Sequence, residues 1–187
     1  MDWRGFGPAM GSPKAVDLFR AGLGAGVGLL LAGLALRGAG LGWLIAPFGA
    51  SAVLVYAVPN SPLAQPWSVV VGNTLSALVA LAVLSALPQA SHAVPLAVGL
   101  AIAAMLATRA LHPPGGAVAL LVALGGPAHW LATTATVAAG SALLIAVGIL
   151  WNGAAGRVYP FRQPAQPGPH GTQDPTPEAR IGLDPAE

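Results

Sequence analysis

The chain contains no cysteine, which excludes disulfides, thiolate chemistry and cysteine-based metal sites. Charge is scarce as well. Charged residues make up 7% of the chain, where a soluble domain carries roughly a quarter. Negative charge is the scarcer sign: the acidic residues are Asp2, Asp17, Asp174, Glu178, Asp184 and Glu187, so no carboxylate side chain occurs between Leu18 and Gln173. An enzyme built on paired carboxylates is excluded from that stretch. Its formal charges are Arg20, Arg37, Arg109, Arg157 and Arg162, all positive and scattered. With no Lys/Arg cluster and no interleaved aromatics, the basic balance does not point to nucleic acid. It reports orientation in a membrane.

What fills the space is apolar: 55% of the residues are hydrophobic. A hydrocarbon core needs about 20 consecutive apolar residues to be crossed by a helix. The runs Trp67–Leu87 and Ala128–Trp151 meet that length, and Ala93–Leu111 is close, with Pro95 harmless in its first turn. Ala21–Leu36, bounded by Arg20 and Arg37, is a first membrane helix; the alternative is a signal-peptide core with Gly38, Ala39 and Gly40 as its cleavage site. Two runs are shorter: Ile45–Val58, opening with Pro47, and Pro113–Leu124, opening with Pro113 and Pro114. On length these are half-helices, re-entrant segments or short spans. Residues 1–17 and 158–187, rich in Pro and Gly without apolar periodicity, are expected to be disordered around a membrane domain of residues 18–157.

The short runs resemble each other. Pro47-Phe48-Gly49-Ala50-Ser51 aligns with Pro113-Pro114-Gly115-Gly116-Ala117, and each run is followed by a proline-containing loop, a tryptophan (Trp67, Trp130) and a full-length run. The expected fold is an all-α transmembrane bundle of two repeats, each of long helix, short Pro/Gly-headed half-helix and long helix. It has four full spans plus two short or re-entrant segments, or six spans. The rival explanation of the likeness is shared composition. Either version puts both termini on one side, which Arg4, Lys14, Arg20, Arg157 and Arg162 mark as cytoplasmic.

The densest polar cluster is Thr108-Arg109-Ala110-Leu111-His112-Pro113-Pro114-Gly115-Gly116. Proline ends the incoming helix near Leu111 or His112, and the prolines and glycines start a new one whose unpaired amides attract anions. Gly49, Ala50 and Ser51 form the same device in the first motif, and in the six-span version the two N-termini face each other near mid-membrane. Arg109 has no acidic partner in reach, so it either snorkels to a headgroup or holds an anion. His112 is a proton carrier, with an unperturbed pKa of about 6.5, or a helix cap. His92 and His129 are expected at the interface, and no His/Glu spacing suggests a metal. Asn73 and Thr74, with Ser68 and Ser76, give one long run a polar stripe that reads as interhelical bonding or as a pathway. The glycines of the first run, with Gly140 and Ser141, read as close-packing residues.

Thr108-Arg109 with Leu111-His112-Pro113-Pro114-Gly115-Gly116-Ala117, Phe48-Gly49-Ala50-Ser51-Ala52-Val53-Leu54 and Pro59-Asn60-Ser61-Pro62-Leu63-Ala64-Gln65-Pro66 together resemble the HPP family of small integral membrane proteins, over roughly Arg20 to Leu150. That family is usually described with four spans, and its plastid and cyanobacterial members with nitrite transport. Many members carry histidine where this chain has Asn73, a difference that counts against a proton relay through that position. The resemblance implies a transporter or channel for a small monovalent anion such as nitrite, with proton coupling left open, and not an enzyme. On the reading of the polar cluster and the two helix starts, the expected substrate-binding set is Arg109, His112, Pro113, Pro114, Gly115, Gly116, Gly49, Ala50, Ser51 and Asn73. No cofactor is expected. Expected partners are the lipid bilayer of a bacterial-type inner (cell) membrane, a small inorganic anion and other copies of the chain in a homo-oligomer. A non-transporting assembly or lipid-interacting protein is the alternative, and an intramembrane enzyme using His112 as base the remote one.

Overall fold

The computed structural model describes residues 11–37, 45–88, 91–125 and 129–161. Gly38, Ala39, Gly40 and all but the first four residues of the expected C-terminal tail lie outside them. Six helices follow one another: α1 (Ala15–Ala35), α2 (Ile45–Ala52, continued by a π-helical turn Val53–Ala57), α3 (Pro66–Ala86), α4 (Ala93–Ala107), α5 (Pro113–Leu124) and α6 (Trp130–Ala154). A single 3₁₀ turn, Pro62–Ala64, precedes α3.

Among the described residues three helices, α1, α3 and α6, are long and apolar enough to cross a membrane, not the four expected. The shortfall is α4, which ends at Ala107 rather than Leu111. Ala110 N donates to Met105 O (2.8 Å) and Arg109 N to Leu106 O (3.1 Å), with Arg109 at φ 55°. This is the left-handed cap in which two amides past the end close back on the last turn. The end of α6 is closed the same way, by Arg157 N to Asn152 O and Gly156 N to Gly153 O, with Gly156 at φ 71°. Glycine adopts that conformation freely; an arginine there resists it.

Described structure reaches into both expected margins, of which residues 1–10 and 162–187 lie outside the described residues. Helix α1 already starts at Ala15, because Asp17 in its first turn is held by Arg157 Nη2 at 2.7 Å. At the other end the chain stays docked to residue 161. Tyr159, buried, donates from its hydroxyl to Ala64 O (2.7 Å), and Phe161 N donates to Gln65 Oε1 (2.8 Å). Burial, with Tyr56 nearby, holds the Tyr159 phenol well above its ordinary range, so it stays a donor at neutral pH.

These bonds gather one end of the bundle. The start of α1 meets the end of α6 through Asp17 and Arg157, and Trp151 Nε1 donates to Arg20 O. The end of α2 joins them through Asn152 Nδ2 to Val55 O and Arg157 Nη1 to Tyr56 O. The start of α3 and the end of α4 meet where Trp67 Nε1 donates to Thr108 O (3.2 Å). Successive helices from α1 to α4 therefore run in opposite directions.

Packing is by small residues under large ones. Gly24 lies beneath Trp151, Gly28 beneath Tyr56, Gly140 beneath Phe48 and Gly148 beneath Val55. Close backbone approach of this kind suits helices that gain nothing from hydrophobic burial in lipid. One buried cluster joins Phe48, α3, α4, α5 and Val137; a second joins the lower part of α2 with Val69, Leu144, Ile145 and Tyr159.

Candidate functional site

The two short motifs meet. Between the two apolar clusters Ser51 Oγ of α2 and His112 Nε2, at the head of α5, lie 2.8 Å apart. Asn73 Nδ2 of α3 donates to Ser141 Oγ of α6 (3.1 Å) and, more weakly, to Ser51 Oγ (3.4 Å). Ser51, Asn73, His112 and Ser141 are all fully buried. Ser141 is near the middle of the 25-residue α6, so the polar junction sits at mid-length of the helix best able to span.

Each side chain is positioned by local chemistry. His112 takes the extended backbone (φ −142°, ψ 103°) that a following proline imposes. Its Nδ1 faces Leu63 O at 2.8 Å. A carbonyl only accepts, so Nδ1 carries a proton and donates. Ser51, in the body of α2, can donate to Pro47 O one turn back (3.1 Å). Gly72 and Gly115 make room: a methyl group on Gly72 would come 2.5 Å from Ala110 O and 2.9 Å from His112 Cβ, and one on Gly115 would come 2.8 Å from Ser76 Oγ and from Met105 Sδ. Two buried polar atoms beside this network have no protein partner among the described residues, Asn73 Oδ1 and Ser76 Oγ. Orphans in an apolar interior are costly and call for a bound species or water.

The cradle of free amides expected at the helix starts is absent. Pro113 and Pro114 hold the first two positions of α5 and have no N–H, and the next amide, of Gly115, already donates to His112 O (2.8 Å). Helix α2 begins at Ile45, two residues before Pro47. The amides of Gly49, Ala50 and Ser51 therefore lie inside the helix, where each bonds the carbonyl one turn back. Ala50 is exposed, and Gly49 and Gly116 are half-buried. Gly116 instead lines an apolar groove of about 630 Å³ with Val98, Gly99, Ile102 and Leu120.

Arg109 is not brought to the junction either. It is exposed, and its guanidinium makes no hydrogen bond or ion pair among the described residues. Of the expected residues the structure unites Ser51, Asn73 and His112, with Pro114 and Gly115 packed behind them; Pro113 is exposed. Sequence reading missed Ser141, taken for a packing residue, and the two carbonyls, Leu63 O and Pro47 O. Ser141 falls amid small residues (Gly140, Ala142) that give no polar signal. Carbonyl partners have no signature at all. His92 and His129 are exposed next to helix starts, and Trp67 and Trp130 are exposed at the starts of α3 and α6, as interfacial aromatics are.

A bundle of lipid-compatible helices closed around a buried, uncharged polar centre defines an integral membrane protein. Residues 10–160 match the family described as HPP, transmembrane region, and the chain belongs to that family. It is similar to two transmembrane proteins of Dictyostelium discoideum. With one it is 39% identical over 126 residues, 63% of this chain and 40% of the relative. With the other it is 45% identical over 91 residues, 46% of this chain and 32% of the relative. The chain thus spans less than half the length of either. No solved structure matches it.

Proposed function

We propose that the chain carries a small monovalent anion, nitrite first among candidates, across the membrane by way of the Ser51–Asn73–His112–Ser141 junction. The observation that carries this reading is the orphaned pair beside His112: Asn73 Oδ1 and Ser76 Oγ are fully buried at mid-bundle without a protein partner. Polar groups that deep are costly and mark a path or a binding place in membrane proteins. The family resemblance supplies the substrate class. Arg109 stays outside this site, as a headgroup-facing residue.

The chain then passes the membrane six times, with α2, α4 and α5 as short segments and the motifs of α2 and α5 meeting in the middle. Both termini face the cytoplasm of a bacterial-type cell membrane, where Lys14, Arg20 and Arg157 cluster at one end.

The test is nitrite uptake by liposomes holding the purified protein. His112→Ala is expected to reduce uptake at least tenfold while the variant inserts and elutes as the parent does. Unchanged uptake by that variant would remove the junction from the path. A second reading is a bundle whose buried polar centre only fixes helix register, as such centres do elsewhere; full burial of all four junction residues favours it. It requires that the parent protein move no anion at all.

A further inference from the structure

Ser51 has one hydroxyl proton and two acceptors in reach. Pro47 O lies at 3.1 Å and His112 Nε2 at 2.8 Å. Because His112 Nδ1 is committed as donor to Leu63 O, the state of Nε2 alone decides where the Ser51 proton goes. With Nε2 bare, Ser51 donates to it. With Nε2 protonated, the ring donates to Ser51 Oγ and Ser51 turns to Pro47 O. Both states use the same heavy-atom positions, so taking up a proton breaks no network.

Charge is the only obstacle. The groups packed against His112 are Ser51 from α2, Leu63 O from the 3₁₀ turn, Gly72 from α3 and Ala110 from the end of α4, with Asn73 and Ser141 one bond further; none of these is titratable. The described ionic side chains lie elsewhere: Lys14, Arg37 and Arg109 are exposed, Arg20 is half-buried, and Asp17 is paired with Arg157. No carboxylate exists between Leu18 and Gln173 to move in. A buried imidazolium without a counter-charge is strongly disfavoured. The counter-charge must arrive from outside.

One of the two orphans fits that arrival. Asn73 Oδ1 only accepts, whereas Ser76 Oγ can donate. An anion beside the ring accepts from the Ser76 hydroxyl and offers nothing to Asn73 Oδ1, so the junction holds one orphaned donor suited to an anion.

We infer that one proton enters the junction with each anion, the Ser51–His112 pair receiving it, so that transport is electroneutral at a fixed ratio of one proton to one anion. This rests on the proposed anion transport through the same site. The balance is simple: a neutral His112, one proton and one monovalent anion give a neutral imidazolium–anion pair, and release on the other side restores the ring. No bond other than N–H forms or breaks.

Two measurements test it on the intact protein. In weakly buffered detergent at pH 7, nitrite is expected to draw one proton from solution per nitrite bound, and its apparent affinity to weaken tenfold per pH unit wherever the empty site is neutral. In proteoliposomes, after subtraction of uptake by protein-free liposomes, nitrite uptake should acidify the lumen one for one and change less than twofold when potassium and valinomycin set the voltage from negative to positive. Ser51→Ala should lower uptake at least tenfold, and Ser51→Thr, which keeps the hydroxyl, should retain the one-to-one ratio. Nitrite binding without proton uptake, or uptake that follows voltage, overturns the inference and leaves anion transport standing. Absence of nitrite binding and uptake by the parent protein overturns both.

Discussion

Gly72 shows how little freedom the residues around His112 have. A side chain there meets the backbone oxygen of Ala110 at 2.5 Å, and a carbonyl cannot rotate away as a flexible side chain can. Gly72→Ala must therefore separate α3 from the segment that carries His112. A loss of about 1–3 kcal/mol is expected for overpacking of this kind, read as a lower unfolding temperature in detergent. Gly99, whose Cβ would meet nothing within 4 Å, is the control: Gly99→Ala should leave that temperature unchanged or raise it, since alanine favours helix. Glycines of equal prominence in the sequence thus differ by whether another backbone lies opposite.

At the scale of the element, the end of α4 matters most. Helix α4 stops at Ala107 because Arg109 turns left-handed, a conformation that costs a residue with a Cβ roughly 1–2 kcal/mol and glycine little. The matching cap of α6 uses Gly156. Arg109→Gly is expected to keep the cap, to raise stability by up to about 1 kcal/mol, and to leave nitrite uptake within twofold, because the guanidinium takes no part in the junction. Chemical denaturation and uptake assays check the two halves separately; a tenfold loss of uptake would return Arg109 to the site. The early end of α4 also explains why a run that read as a full-length span forms a shorter helix of 15 residues. Apolar composition continues to Leu111, but the helix does not. Similarly, the first motif is a helix interior rather than a helix start, because the chain enters helical geometry at Ile45 and Pro47 still falls within the first turn, where proline is tolerated.

At the scale of the molecule, the open matter in the sequence was whether the short segments cross or return. Alternating directions from α1 to α4, with the end of α2 beside the start of α1, place Asn60 on the same side as Lys14 and put Ser91 and His129 opposite. Re-entrant short segments would exchange Asn60 and Ser91. The absence of cysteine makes the check direct. Single Lys14→Cys, Asn60→Cys, Ser91→Cys and His129→Cys variants, all at exposed positions, should react with a membrane-impermeant maleimide in oriented vesicles so that Lys14→Cys and Asn60→Cys share one side and Ser91→Cys and His129→Cys the other.

The sequence by itself determined that this is a membrane helical bundle, since a stretch without carboxylates and with several apolar runs has no other stable form, and it marked His112, Ser51 and Asn73 as residues of interest. Proline spelled out where α5 begins, because that signal acts locally on the backbone. Only the tertiary structure decided which polar residues share a site. Ser51 and His112 are 61 positions apart, Asn73 and Ser141 68; no local rule relates them. It likewise placed Arg109 apart from the junction, exposed at the left-handed end of α4, and it filled the helix starts that composition left open, because an amide's partner is fixed by where the neighbouring carbonyl falls.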